Sequence, residues 1–519
     1  MLVASNRGPV AFSADDDGSL VARRGGGGLV SGLHAVVGED AASGGGDTAG
    51  DTAGGGGLVW VCAALSEADR RATRLAPDGR LDLAGHDTGG TAVCMLDVDR
   101  VVFERAYNAV ANRTLWFILH LLYAPASQPS FGSVFQQDWL AYESYNTLFA
   151  EALAREAAPG AAVLIQDYHL TLAPAQLRRL RPDLRIAHFS HTPWPPPEYF
   201  RMLPDSVASA VVEGLLGADH LGFLTAAWAE AFCRCAQATL GADIAVDRAA
   251  EIDRGDTAGQ GNTAGQTGGM TDGTGQPRLR YRGRAVRIGV HPLGVDSAAL
   301  VRRARGHDVA ARAAEMRELT AGRRVIVRVD RTELSKNIVR GLEAYRELLR
   351  EHPRWHGQVM HIVCAYPSRH DLPEYREYTA AVQRIVEEIE DEFATASWSP
   401  VRLEVNDDYP RSLAALSLAD VLVVNPIRDG MNLVAKEGAV LSRSGAALVL
   451  SREAGACAEM AADALVVNPF DVGETAAAIH TALLMTADER RRRCERLAAV
   501  AGRLPPRRWF RDQLDALLA

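Results

Sequence analysis

Two cations follow the end of one predicted strand. Arg331 and Lys336 come directly after the apolar run RVIVRVD, and Lys336 lies near the start of the next helical pattern. A guanidinium binds phosphate as a planar fork and an ammonium acts as a compact charge, so the pair suits a diphosphate. A solvated basic loop is the alternative for this spacing. The rarity of lysine favours the phosphate role, because Lys336 and Lys436 are the only lysines among 56 basic residues.

The stretch RDGMNLVAKEG, residues 428–438, follows another predicted strand and contains the second lysine. It predicts a turn at Asp429 and Gly430, then a helix from about residue 432 whose free N-terminal amides suit a phosphate. Two roles are open for Asp429, ligand binding or simple capping of the helix. Glu437 binds a ligand or is an ordinary helix carboxylate. A bound anion would offset the unfavourable place of Lys436 near a helix start.

Two segments of the first half add residues at predicted strand ends. The glycine run RRGGGGLVSGL, residues 23–33, can approach a phosphate or a sugar closely, although glycine is frequent in this chain. Asp167 and His191 each end a strand. Because His191 precedes a stiff proline-rich loop, a position in a cleft is favoured over the usual packed core histidine.

A third segment, AYNAVANRTLW, groups Tyr107, Asn112 and Trp116, an aromatic and polar set of the kind that binds sugars. A helix with an apolar face, and Trp116 in the core, is the alternative. The chain has no Ser-His-Asp elbow, no H-E-x-x-H and no cysteine or histidine cluster with metal spacing. The candidate residues therefore indicate binding and charge stabilisation, with no marked covalent nucleophile.

Composition excludes several classes of protein. The net charge of -9 argues against general nucleic-acid binding. Seven scattered cysteines without C-x-x-C indicate reduced thiols and a cytoplasmic protein. No signal peptide and no run of about 18 apolar residues is evident, so we expect no membrane span. Whether identical chains assemble is left open.

Short apolar runs alternate with amphipathic segments along most of the chain, which indicates parallel sheets covered by helices. We predict an α/β protein with two doubly wound Rossmann-like domains facing a central cleft. The predicted bounds are 1–295 and 296–495, with a C-terminal helix in 496–519 that packs back on the first domain. The low-complexity stretches 38–57 and 254–277 are predicted to be flexible insertions.

Taken in order, these motifs resemble the trehalose-6-phosphate synthases, which are retaining glycosyltransferases of the GT-B class. The resemblance spans nearly the whole chain apart from the two insertions. It is carried by SNR at 5–7, GGGGLVSGL, YNAVANRTLW, DYHL, HTPWPPPEYF, DRTELSKN, YPSRHDLPEY, RDGMNLVAKE and VLSREAGACAEM followed by VVNPFD.

The resemblance implies transfer of glucose from UDP- or GDP-glucose to glucose-6-phosphate, with retention of configuration and without metal or other cofactor. It assigns the donor site to Gly27 and Gly28, which close over the donor, and to Arg331 and Lys336 on its diphosphate. Asp429 would bind the donor sugar and His191 would lie beside it. The remaining donor contacts would be Leu433, Val434, Ala435, Lys436 and Glu437, with Glu437 on the ribose.

The acceptor pocket implied by the same resemblance consists of Arg7, Tyr107, Trp116, Asp167 and Arg369, with the two arginines on the acceptor phosphate. The catalytic set would be Asp429, His191, Arg331 and Lys336.

The chain departs from the family pattern at three places. Ala63 stands where the second tryptophan of a W-x-G-W motif is expected, after Trp60. Gln166 stands where many relatives have histidine. The base-contacting segment near 406–412 does not align cleanly, so Tyr409 is only a candidate contact and the nucleobase is open.

Three other functions fit parts of the pattern. A pseudo-glycosyltransferase would couple cyclitols on the same fold, but the sugar-binding acids of RDGMNLVAKE are intact. A non-catalytic paralogue that senses sugar phosphate would lose donor-site residues, and none is missing. A nucleotide-sugar epimerase would have no use for Arg7 and Arg369.

Overall fold

The computed structural model describes residues 1–15, 17–24, 58–86, 88, 91–241, 244–247, 278–369 and 371–519. The predicted donor contacts Gly27 and Gly28 lie outside the described residues, as do the insertions 38–57 and 254–277.

The first sheet has nine strands in the order β5-β4-β1-β6-β7-β8-β11-β10-β9. Strands β5 to β11 of this order pair in parallel, and β10 and β9 extend the sheet in antiparallel fashion, an edge that the sequence pattern did not predict. A separate antiparallel hairpin, β2 with β3, follows β1. The strands are β1 Leu2–Ala4, β2 Val10–Ala14, β3 Leu20–Arg24, β4 Val59–Ala63, β5 Ala92–Leu96, β6 Ala162–Gln166, β7 Arg185–Ser190, β8 His220–Phe223, β9 Ile244–Asp247, β10 Arg278–Tyr281 and β11 Arg284–Val290.

The second sheet has six parallel strands in the order β14-β13-β12-β15-β16-β17. Counted from its first strand, this is the order 3-2-1-4-5-6 of dinucleotide-binding folds, and the parallel part of the first sheet begins in the same way. The strands are β12 Arg324–Arg331, β13 Val359–Tyr366, β14 Val401–Glu404, β15 Val421–Val424, β16 Ala447–Ser451 and β17 Leu465–Val467.

Helices cover these sheets, as strands buried on both faces require. The helix Ile338–Glu351 illustrates the cause, because Ile338, Leu342, Tyr345 and Leu349 recur at helical spacing and are all buried. The α-helices are α1 Glu67–Leu75, α2 Arg100–Phe103, α3 Trp116–Leu119, α4 Ser133–Glu156, α5 Ala173–Leu180, α6 Pro197–Phe200, α7 Asp205–Leu215, α8 Ala226–Leu240, α9 Ser297–Ala304, α10 His307–Thr320, α11 Ile338–Glu351, α12 Pro373–Phe393, α13 Tyr409–Leu418, α14 Leu433–Leu441, α15 Cys457–Met460, α16 Val472–Leu484, α17 Ala487–Ala501 and α18 Pro506–Leu518. A π-helix, Glu104–Leu115, joins α2 to α3, and short 3-10 turns include Tyr168–Leu170 and Leu334–Lys336.

The chain end belongs to two helices rather than one. Residues 496–501 are the end of α17, which packs against α14 beside the second sheet. The last helix, α18, packs on β6, β7 and β8 of the first sheet, with Trp509 buried against the ring of Phe189. The predicted fold class of two doubly wound α/β units is confirmed, while the bounds at 295 and 495 stay predictions.

Two further observations concern the environment of the chain. All seven cysteines are free thiols. Among the described helices, none combines the length and the apolar character that crossing a membrane requires. The cytoplasmic location stays a prediction.

Candidate active site

Both sheets direct their strand ends to one cavity. In each sheet the strand order reverses at a switch point, between β1 and β6 in the first and between β12 and β15 in the second. Ligands of doubly wound sheets bind beyond the carboxyl ends of the strands at such points. Arg7 follows β1, Asp167 follows β6, Arg331 ends β12 and Asp429 follows β15. The topology therefore places the predicted residues where it would place a ligand.

A cavity of about 820 Å³ lies between these strand ends. All five residues predicted for the acceptor line it, together with His191 and Arg331. Lys336, Asp429 and the segment 433–437 are not part of this lining. The lining consists of Ser5, Asn6, Arg7, Tyr107, Asn108, Trp116, Gln166, Asp167, Tyr168, His169, His191, Arg331, Pro367, Ser368, Arg369, Asp371 and Asp407.

Arg369 is a cation held rigidly by aromatic residues. Its guanidinium lies 4.1 Å from the ring centroid of Trp116 and donates hydrogen bonds to the hydroxyls of Tyr168 at 3.1 Å and Tyr375 at 2.7 Å. Burial opposes its charge, but these tyrosines and Glu333 raise the pKa of Arg369. The side chain is thus charged and pre-oriented, as a phosphate contact should be.

The π-helix carries the aromatic side of the cavity. The ring of Tyr107 stacks on His169 with centroids 5.5 Å apart, and Asn112 accepts a hydrogen bond of 2.8 Å from the hydroxyl of Tyr168. π-Helical turns occur frequently at functional sites. Here the altered helix brings Tyr107 and Trp116 to the same cavity, where Trp116 is both buried and part of the lining.

Asp167 adopts a strained backbone conformation, with φ 73° and ψ 172°. Its carboxylate accepts a hydrogen bond of 3.3 Å from the backbone N–H of His191. Burial raises the pKa of Asp167 to about 6, against the lowering effect of backbone hydrogen bonds and Arg369. This carboxyl group can therefore accept hydrogen bonds from sugar hydroxyls at neutral pH, and it becomes protonated just below neutral pH.

Arg331 is held by a buried acid that the sequence analysis did not single out. The fully buried carboxylate of Glu333 lies 2.9 Å from the Arg331 guanidinium and accepts a 2.9 Å hydrogen bond from Ser368. Burial alone would raise the pKa of Glu333, but Arg331, Arg369 and Lys336 lower it to about 2. Glu333 belongs to the same DRTELSKN motif as Arg331. Its position two residues after the proposed phosphate-binding arginine is the sequence signal that could have identified it.

Lys336 and Asp429 form a buried ion pair. The Lys336 Nζ to Asp429 Oδ2 distance is 2.5 Å, and the side chains are only 14% and 16% exposed. Asp429 also accepts a hydrogen bond from Asn432 at 3.2 Å. The cap of α14 is Asn432, whose side chain accepts from the N–H of Ala435. Simple helix capping by Asp429, one of the two roles left open above, is thereby excluded.

Lys436 has a different environment from the one that the resemblance implies. Its ammonium is 1% exposed, lies 2.6 Å from Glu459 and donates to the carbonyl of Leu293 at 2.7 Å. Burial lowers the pKa of Lys436 and Glu459 opposes that effect. Glu459 therefore offsets the charge of Lys436 at this helix position. A donor contact through the backbone of residues 433–436 stays a prediction.

Glu437 has a half-buried carboxyl group in α14, beside half-buried Leu433 and Val434. Burial raises the pKa of Glu437. Its role on the ribose stays a prediction.

The amino-acid sequence of this chain matches a known protein family. The sequence model of glycosyltransferase family 20 matches residues 64–518. The chain belongs to glycosyltransferase family 20. A trehalose-6-phosphate synthase of Mycolicibacterium paratuberculosis is 37% identical over 417 residues, covering 79% of this chain and 78% of the relative.

A second relative is the bifunctional trehalose-6-phosphate synthase/phosphatase of Thermoproteus tenax, 34% identical over 421 residues. The match covers 80% of this chain but 52% of the relative, so this chain spans about half the length of that bifunctional protein.

Solved structures of the family share the fold. An α,α-trehalose-phosphate synthase (UDP-forming) from Burkholderia vietnamiensis has a TM-score of 0.75 and 25% identity, covering 100% of this chain and 99% of that chain. The trehalose-6-phosphate synthase OtsA has a TM-score of 0.77 and 25% identity, covering 100% and 98%. The predicted GT-B arrangement is confirmed.

The structure shows where two of the three departures from the family pattern lie. Trp60 is buried in β4 and donates a 2.7 Å hydrogen bond to the Ser5 hydroxyl, and Ala63 is buried at the end of the same strand. Neither lines the cavity. Tyr409 begins α13, is 49% exposed and has the Arg303 guanidinium 5.9 Å from its ring centroid. A nucleobase contact of Tyr409 stays a prediction.

Proposed function

We propose that this chain is a retaining trehalose-6-phosphate synthase that transfers glucose from a nucleoside diphosphate glucose to glucose-6-phosphate. One observation carries the proposal. A single cavity contains two arginines suited to an acceptor phosphate, Arg7 and Arg369, an aromatic wall with Tyr107, and Arg331, the first cation of the diphosphate motif. A sugar phosphate and the leaving group of a donor would therefore meet in one space.

Charge explains how such a site accelerates transfer. Breaking the bond between glucose and the diphosphate builds negative charge on the leaving group. Arg331, Lys336 and the N-terminal amides of α14 are oriented before the reaction and would stabilise that charge as it grows. Asp429, held by Lys336, would bind hydroxyls of the donor sugar, and Asp167 those of the acceptor.

The proton of the acceptor hydroxyl needs a destination. Because no described carboxylate is marked as a covalent nucleophile, we propose that an oxygen of the leaving diphosphate takes this proton on the same face of the sugar. Bond formation to the acceptor oxygen and bond breaking at the diphosphate then occur on one face, which retains the configuration. A trapped covalent glycosyl-enzyme would contradict this route.

Purified protein with glucose-6-phosphate and either UDP-glucose or GDP-glucose tests the proposal. We expect nucleoside diphosphate release that depends on the acceptor, together with a phosphorylated, non-reducing disaccharide. The parallel reactions identify the nucleobase; the relative from Burkholderia vietnamiensis is described as UDP-forming. No product with either donor would refute the proposed reaction, and binding without turnover would instead indicate a sensor of sugar phosphate.

A matched pair of variants tests the acceptor assignment. We expect Arg369→Met to raise the KM for glucose-6-phosphate much more than the KM for the donor, because the guanidinium is assigned to the acceptor phosphate. Arg179→Met removes an exposed arginine from the end of α5 and serves as the control. Equal effects of the two variants on the acceptor KM would contradict the assignment.

A further inference from the structure

Gln166 is a buried amide that contacts the proposed donor-side histidine. It ends β6 and is 1% exposed. Its Oε1 accepts a hydrogen bond of 2.9 Å from Nε2 of His191, which follows the neighbouring strand β7. Both residues line the central cavity. The contact joins β6, at the switch point of the first sheet, to its neighbour β7 at the place where the donor sugar is expected.

This contact defines the protonation of the imidazole. The Gln166 amide oxygen faces Nε2 and can only accept, so a hydrogen bond at this contact requires the ring proton on Nε2. Burial lowers the pKa of His191 to about 3, which keeps the ring neutral at physiological pH. A neutral imidazole has one N–H, so Nδ1 is an acceptor nitrogen.

The other neighbours of His191 do not compete for this role. Phe189 and Trp509 pack their rings 4.8 Å and 5.5 Å from it. Asp167 accepts from the backbone N–H of His191, not from its ring. His188, whose charge would also act on the ring, has its Nε2 3.1 Å from the Asp167 carbonyl oxygen.

The loop after β15 of the second sheet approaches the backbone of His191. A Cβ atom on Gly430 would overlap the carbonyl oxygen of His191, and the neighbouring charged group, Asp429, is already paired with Lys336. The amide of Gln166 is therefore the side chain that orients the ring.

We propose that Gln166 is a positioning residue that holds His191 as the neutral Nε2–H tautomer, so that Nδ1 accepts a hydrogen bond from a hydroxyl of the transferred sugar. The second half rests on the proposed function, which puts His191 beside that sugar. A carboxylate at position 166 would stabilise a charged imidazolium, and an apolar side chain would leave the tautomer free. An amide does neither.

Side-chain NMR of protein labelled with ¹⁵N-histidine tests the first half without any turnover. His191→Gln identifies the His191 signals by their loss. In the wild type we expect the His191 imidazole to be neutral and protonated on Nε2 between about pH 6 and pH 8, since the pKa of His191 lies far below this range. Gln166→Glu should convert His191 to the imidazolium at neutral pH, and Gln166→Met should give a mixture of tautomers.

Gln513→Met is the matched control, because Gln513 is also a 1% exposed amide but bonds to a carbonyl of its own helix, α18. It should leave the His191 signals unchanged. A wild-type ring that is protonated on Nδ1, or a Gln166→Met spectrum identical to that of the wild type, would overturn the proposal.

Kinetics test the second half. We expect Gln166→Met to lower kcat/KM for the donor on the order of tenfold, as expected for the loss of one oriented hydrogen bond. Gln166→Glu should add a limb to the pH profile, with kcat/KM rising as the imidazolium loses its proton, and Gln513→Met should match the wild type. Unchanged kcat/KM in both Gln166 variants would refute the catalytic part. If the wild type transfers no glucose, the proposed function fails, whereas the NMR result still decides the tautomer.

Discussion

The ion pair between Lys336 and Asp429 allows the diphosphate role of Lys336 to be separated from its structural role. Both groups are charged despite burial. Burial alone would lower the pKa of Lys336, but Asp429, Asp330 and Glu333 raise it. Burial alone would raise the pKa of Asp429, but Lys336 lowers it. Replacing Lys336 by an apolar residue therefore leaves a nearly buried carboxylate without its partner.

The cost of that replacement follows from the burial of the pair. Breaking a buried pair by removing one partner destabilises a protein by about 3–5 kcal/mol. Lys336→Ala is therefore expected to lower stability as well as turnover. Losing one preorganised contact to the transition state raises the barrier by about 3 kcal/mol, or roughly a hundredfold in kcat. The single variant would show both losses.

A double-mutant cycle resolves the two effects. In Lys336→Met with Asp429→Asn both charges are gone, so we expect the free energy of unfolding to return to within about 1 kcal/mol of the wild type. The kcat should remain roughly a hundredfold below that of Asp429→Asn alone, since the diphosphate still lacks its cation. Denaturant unfolding and steady-state kinetics on the four proteins measure both quantities.

The other lysine supplies the comparison. Lys436 is also in a buried pair, with Glu459, but its ammonium faces Leu293. We expect Lys436→Met to lower stability and the double variant with Glu459→Gln to recover it, with kcat close to that of the wild type. If the double variant at Lys336 recovers activity together with stability, the diphosphate role of Lys336 is wrong.

Three shorter predictions follow from the site. Burial raises the pKa of Asp167 in the folded protein to about 6, above that of an ordinary aspartate, so its stabilising effect is complete in acid and is lost as pH rises through 6. Asp167→Asn should remove a decline of about 3 kcal/mol in unfolding free energy, read from denaturation between pH 3 and pH 8. Gly430→Ala should lower stability and kcat, because the added methyl overlaps the His191 carbonyl, whereas the methyl of Gly132→Ala meets no atom and should leave kcat unchanged. Glu333→Gln removes a negative charge that acts on three cations, Arg331, Arg369 and Lys336, so calorimetry should find tighter binding of nucleoside diphosphate with lower kcat; weaker binding would contradict this charge balance.

The sequence predicted the secondary structure around the site well because local patterns determine it. The strands that carry the motifs are short, mostly buried apolar runs. The strands predicted at Asp167, at His191, before Arg331 and before Asp429 are present as β6, β7, β12 and β15. The turn at Asp429 and Gly430 and the helix after it also lie where the glycine and the apolar spacing put them. Such features depend on neighbours along the chain.

Features that depend on distant residues were not predictable in this way. Glu333 and Ser368 meet because β12 and β13 are neighbours in the sheet, and nothing in the spacing of 35 residues indicates this contact. The antiparallel edge formed by β9 and β10 follows from pairing that the local pattern does not specify. The role of Asp429 was open for the same reason, because its partner lies 93 residues away.

By itself the sequence determined the strand and helix pattern, the two doubly wound sheets and the set of cations suited to phosphates, since hydrophobic periodicity and residue chemistry are local properties. Tertiary structure alone decided which charges are neutralised within the protein. It gave each of the two lysines a carboxylate partner, Asp429 for Lys336 and Glu459 for Lys436, and only the first pair lies at the switch point of the second sheet. The physical reason is that burial makes an unpaired charge costly, so the function of each lysine depends on which distant acid the fold brings to it.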